Sequence, residues 1–146
     1  MRRLCFLVLG LVMVSCGATK QVPTQIESTL YSKWVLVQLN GNRIKSDQPL
    51  FLEFNRTSKV SGYAGCNSLG GDFVLGEGQS IRFSDLITTY RYCDQAELEG
   101  QVLDMLNTVT HYSIEAQALT LKLSNGVVIA EYTLVNENVT RGMLEQ

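Results

Sequence analysis

Residues 94–109, DQAELEGQVLDMLNTV, decide how the rest of the chain is read. Asp94-Gln95-Ala96-Glu97 has the form of a capping box, and Leu98, Val102, Met105, Leu106 and Val109 recur at the spacing that places them on one helical face. Nowhere else in the body of the chain does that period return. Upstream, Trp34-Val35-Leu36-Val37-Gln38-Leu39 is a β-branched and aromatic run closed by Asn40-Gly41, a hairpin-turn pair. Leu50 to Phe54 and Lys59 to Tyr63 then pair across Asn55-Arg56-Thr57-Ser58, and Gly70 to Leu75 and Ser80 to Phe83 flank Gly76-Glu77-Gly78-Gln79. Downstream, Tyr112 to Ile114 and Leu119 to Leu123 alternate, and Asn125-Gly126 turns the chain into Val127 to Leu134. Strands, one helix, then strands predict an α+β fold: a strongly bent antiparallel sheet or open β-barrel with one amphipathic helix packed across it.

The chain has 146 residues, 45% hydrophobic and 18% charged with two prolines, which suits one folded domain and excludes a disordered tail. Its formal charge of −2 becomes −4 once residues 1–15, with Arg2 and Arg3, are removed. Lys and Arg never cluster, so no nucleic acid partner is expected. Arg2 and Arg3 precede the apolar run Leu4 to Val14, which is shorter than the roughly 20 residues of a spanning helix and fits the core of a signal peptide.

The run ends at Met13-Val14-Ser15-Cys16, which resembles a bacterial lipobox. That resemblance implies a signal peptide over residues 1–15 and acylation of Cys16, with ordinary cleavage beside a bystander Cys16 as the alternative. A residue other than Asp after the cysteine, here Gly17, implies delivery to the periplasmic face of the outer membrane. Several acyl chains, each contributing about 0.8 kcal/mol per buried methylene, make a lasting membrane anchor. Residues 16–29 read as the lipidated N-terminus and a tether, reaching up to about 45 Å. The folded domain is expected over 30–135 and a polar tail over 136–146.

Chemistry is sparse. His111 is the single histidine and has no Gly-x-Ser-x-Gly elbow beside it, so it reads as a loop residue between helix and strand. Paired metal-ligand spacing is lacking, the glycine-dense stretches at 62–65 and 70–71 lack the Lys-Ser/Thr of a phosphate loop, and carboxylates are scattered. No catalytic residue, metal or cofactor is therefore assigned. Of four cysteines, Cys5 leaves with the signal and Cys16 is the anchor, which leaves Cys66 and Cys93. In an exported protein the pair is a disulfide candidate, worth about 3.5 kcal/mol for a loop of about 27 residues; two buried thiols are the alternative.

Gly65-Cys66-Asn67 followed by Gly71, Thr89 four residues before Cys93, and Glu99-x-x-Val102-Leu103-x-x-Leu106 together resemble the META domain, or HslJ-like, family. Trp34-x-Leu36 with Leu39-Asn40-Gly41 resembles the same family's opening, so the likeness spans roughly residues 29–134. It implies a compact α+β domain, often on envelope lipoproteins, whose members are linked to heat shock, antibiotic tolerance, motility or secretion, with no established catalytic residues. The architecture is also similar to the cracked β-barrel of secretion pilot lipoproteins, which can hold an acyl chain.

On this basis Gly65, Cys66, Asn67, Thr89 and Cys93 are expected to form a structural corner, Gly65 giving backbone freedom and Asn67 and Thr89 satisfying backbone groups. Trp34 is expected in the core, with an exposed ligand platform as the alternative. Arg91 and Tyr92 depart from the family, which favours apolar and small residues there. Tyr90-Arg91-Tyr92 is accordingly either a partner-contact patch or a strand with both rings packed.

The functional expectation is a non-enzymatic envelope lipoprotein that binds a partner protein or an apolar ligand in a stress or envelope-maintenance role. A hydrolase using dispersed carboxylates or His111 is the alternative from another class, and a purely structural stress-response lipoprotein is a third.

Overall fold

A computed structural model describes residues 29–135. The expected signal peptide over 1–15, the acylation candidate Cys16, nearly all of the expected tether, and the expected polar tail at 136–146 lie outside the described residues. The elements are β1 (Lys33–Leu39), β2 (Asn42–Arg43), β3 (Phe51–Phe54), β4 (Lys59–Tyr63), β5 (Ser68–Gly76), a 3₁₀ turn (Glu77–Gln79), β6 (Ser80–Thr88), α1 (Ala96–Thr108), β7 (His111–Glu115), β8 (Ala118–Lys122) and β9 (Val128–Leu134).

The nine strands form one antiparallel sheet in the order β2-β1-β3-β4-β5-β6-β7-β8-β9, and β1 curls round to pair with β9 from Trp34↔Leu134 to Leu39↔Ala130. Closure makes β1 serve three neighbours. Its first residues pair with β3, its last two with β2, and its other edge with β9. The ring is not a regular barrel, because β6 and β7 share only the pair Ser80↔His111, with Ile81 N–H donating to Thr110 O at 2.9 Å. The chain leaves β6 at its far end, Thr88, forms α1 and re-enters the sheet as β7 at His111, beside Ser80.

Packing follows the periods read from the sequence. Trp34, Leu36, Leu52, Phe54, Val60, Phe73, Ile81, Phe83, Leu119, Leu121, Ala130 and Tyr132 point inward, and α1 adds Val102, Met105 and Leu106 from its apolar face. Trp34 is completely buried, with its indole N–H donating to Leu30 O at 3.0 Å. A buried indole needs that acceptor, so Trp34 is a satisfied core residue.

Two local readings need correction. The capping box does not form: Gln95 precedes the first helical residue, Ala96, and makes no side-chain capping bond. The Gln95 side chain is engaged elsewhere, its Oε1 accepting from Ser46 Oγ at 2.7 Å. His111 is also not a loop residue but opens β7, in register with Lys122 of β8.

Candidate functional site

The densest set of polar contacts lies where the β4–β5 connection meets the segment between β6 and α1. Asn67 is the one buried polar residue among the described residues. Its Oδ1 accepts from Thr89 Oγ1 at 2.9 Å and from Arg91 N–H at 2.8 Å. Its Nδ2 donates to Arg91 O at 3.1 Å and to Glu99 Oε1 at 3.0 Å. The backbone is equally occupied, with Asn67 N–H donating to Glu99 Oε2 at 2.6 Å and Asn67 O accepting from Ala64 N–H at 3.1 Å. An amide has two acceptor sites and two donors, and all four are used. A half-satisfied amide at this depth would destabilise the corner; a complete one fixes its geometry.

The flanking residues fit this knot. Gly65 sits at φ +123°, a conformation that side-chain-bearing residues rarely adopt, and its carbonyl accepts from Tyr63 Oη at 2.8 Å. Cys66 and Cys93 are joined by a disulfide with Cα atoms 5.8 Å apart, inside the usual range for a bridge. Gly71 lies at the β5–β6 bulge, where an added Cβ would stand 2.7 Å from Leu86 Cδ2 and 3.0 Å from Ser84 O. Thr89 N–H donates to Ser68 O at 3.1 Å, so β5 carries the segment slightly past the end of β6.

The sequence named Glu99 only through family resemblance and did not foresee what it touches. From the first turn of α1 its carboxylate takes both N–H groups that Asn67 turns toward the helix. Neither periodicity nor spacing signals a contact between residues 32 apart.

The knot sets the presentation of Tyr90-Arg91-Tyr92. Both backbone groups of Arg91 are held by the Asn67 side chain, and Cys93 is anchored two residues on by the disulfide. All three side chains are left outside: Tyr90 and Tyr92 are 103% and 93% exposed, Arg91 is exposed, and Ile87 nearby is 71% exposed. The alternative of a strand with packed rings is therefore overturned, because the backbone bonds of residue 91 go to a side chain rather than to a neighbouring strand.

His111 borders a different cleft, formed by the 3₁₀ turn, β7 and the β8–β9 turn. Its Nδ1 lies 2.9 Å from Thr110 Oγ1, and among the described residues no hydrogen bond joins it to Ser124, which borders the same cleft. No group of three His, Cys, Asp or Glu side chains that could hold a metal occurs among the described residues, and none of their helices is long and apolar enough to cross a membrane.

The family model of the META domain matches residues 27–134. Among solved structures, a protein from Burkholderia xenovorans determined by NMR superimposes with a TM-score of 0.59 at 22% identity, over 73% of this chain and 83% of that one. A second protein solved by NMR gives 0.60 at 25% identity, over 74% and 92%. A DUF4847 family protein from Bacteroides vulgatus gives 0.56 at 12% identity, over 73% and 94%, and shares the fold alone. No curated protein matches.

Proposed function

The chain belongs to the META domain family, and from that premise we propose that it is a non-catalytic, lipid-anchored envelope protein that binds a partner protein through Tyr90, Arg91 and Tyr92. The observation that carries this reading is the contrast between a clamped backbone and free side chains. A segment held by Asn67 and the disulfide has already lost its backbone freedom, so a partner meeting the two rings and the guanidinium does not have to order it. Tyr and Arg are also the residue types that dominate binding hot spots. Anchoring through Cys16 at the outer membrane would place this patch within tether reach of the membrane surface.

Crosslinking in cells followed by affinity recovery tests the binding. The expected result is a reproducible partner that is lost in the Arg91→Ala/Tyr92→Ala protein while folding is retained. Unchanged recovery would refute the patch. Intact mass spectrometry of the membrane fraction tests the anchor: the expected N-terminus is acylated Cys16, and membrane retention of a Cys16→Ala protein would refute it.

A further inference from the structure

The cleft beside His111, about 230 Å³ in volume, has an unusual lining for an acidic chain. Lys122, His111 and Ser124 border it with the turn residues Gly78 and Gly126, and no Asp or Glu does. His111 and Lys122 are register partners on adjacent antiparallel strands, which puts their side chains next to each other on one face. Tyr112 and Leu121, the next pair along, are buried in the core, so His111 and Lys122 share the opposite side of the sheet. Lys122 is half-buried, yet among the described residues it has no ion-pair partner. A lysine whose side chain is half-covered by protein and whose charge has no counter-charge can pair with an anion.

The imidazole is set up by its neighbour. Thr110 Oγ1 engages Nδ1 at 2.9 Å, which leaves Nε2 as the remaining ring nitrogen. When the threonine hydroxyl donates to Nδ1, the ring proton resides on Nε2, and when the ring is doubly protonated Nε2 carries a proton again. In both states Nε2–H is a donor, whereas the neutral tautomer with Nδ1–H donating to Thr110 Oγ1 makes Nε2 an acceptor; an oxyanion at Nε2 selects the donor states.

We propose that this cleft binds a phosphate-class oxyanion through Lys122 Nζ, His111 Nε2–H and the Ser124 hydroxyl. Three donors from two strands and a turn suit a tetrahedral group, which offers oxygens in several directions, better than a planar carboxylate. The ammonium supplies the charge, and imidazole and hydroxyl orient the oxygens. The site lies on different elements from the Asn67 corner and does not depend on the partner-binding reading.

The test is an NMR titration of the full chain at constant ionic strength, following His111 and the Gly126 amide. One arm uses inorganic phosphate, and the other uses soluble dihexanoyl-phosphatidylglycerol with the corresponding phosphatidylcholine as control. Saturable shifts are expected in the millimolar range. Lys122→Met is expected to weaken binding about tenfold, as loss of one charge-assisted contact does, and Lys122→Arg to retain it. Stronger response to inorganic phosphate identifies a free phosphate ligand, and stronger response to phosphatidylglycerol identifies a lipid headgroup. Shifts that never saturate in either arm, or that persist undiminished in a folded Lys122→Met protein, overturn the proposal.

Discussion

Changing Asn67 to Asp replaces one NH₂ group by an oxygen and leaves the shape of the side chain intact. At that position stand Arg91 O at 3.1 Å and Glu99 Oε1 at 3.0 Å, both acceptors. Two hydrogen bonds disappear, at about 1 kcal/mol each. Two carboxylates also come face to face, and charges about 4 Å apart repel by about 4 kcal/mol at an effective dielectric constant of about 20. Proton uptake limits the repulsion: a carboxyl whose ordinary value is near 4 binds a proton at about pH 7 for roughly 4 kcal/mol, and the new hydroxyl restores one donor. The expected loss is therefore about 4–5 kcal/mol near pH 7, much of the total for a domain whose net stability is about 5–15 kcal/mol. The shared proton binds more tightly in the folded variant than in the unfolded chain, so the deficit shrinks as pH falls toward about 4.5.

Guanidinium unfolding of the oxidised protein measures it, with Trp34, the single and fully buried tryptophan, as the fluorescent reporter. Glu99→Gln added to Asn67→Asp removes one charge and supplies an amide donor, and about 2 kcal/mol should return. A deficit for Asn67→Asp below about 1 kcal/mol near pH 7, or no recovery on adding Glu99→Gln, would refute the account of the corner.

Burial raises the Tyr132 hydroxyl far above the ordinary phenol range, and among the described residues that hydroxyl has no hydrogen-bond partner. The unfolded chain ionises this phenol above about pH 10 while the folded one does not, so stability should fall there by about 1.4 kcal/mol per pH unit. Tyr132→Phe should remove that slope and be neutral or stabilising near pH 7, as read by thermal melts across pH; a loss above about 1 kcal/mol near pH 7 would show a hidden partner. Replacing Cys66 and Cys93 together by Ser should lower stability by about 3.5 kcal/mol in denaturant, as loss of a 27-residue closed loop predicts. Arg91→Ala/Tyr92→Ala should change stability by less than about 0.5 kcal/mol, since the side chains touch solvent, which makes it a clean probe of binding.

The strands and the helix were legible in the sequence because periodicity is a local property. Lys59 to Tyr63 and the stripe from Leu98 to Val109 each bury one face, Trp34 to Leu39 is marked by its β-branched and aromatic composition although Trp34, Val35 and Leu36 are all buried, and each falls within or beside an observed element. Asn40-Gly41 likewise turns the chain between β1 and β2. The capping box was misread because the helix begins at Ala96 with Gln95 in the cap position, which leaves Asp94 one residue too early to cap it.

The Asn67 corner was visible as residue identities, Gly65-Cys66-Asn67 with Thr89, Cys93 and Glu99, but not as a mechanism. Its bonds join residues 22 to 32 apart, and only closure of the sheet with the helix laid across it brings them together. Tyr90-Arg91-Tyr92 shows the same division. The sequence alone allowed packed rings or exposed ones; in the tertiary structure both rings are exposed, and Asn67 takes both backbone groups of Arg91 in place of a strand partner. The pairing of His111 with Lys122 was likewise set by strand register. A chain's own periodicity says which face each strand buries, whereas the neighbour on the other face depends on how separate strands align.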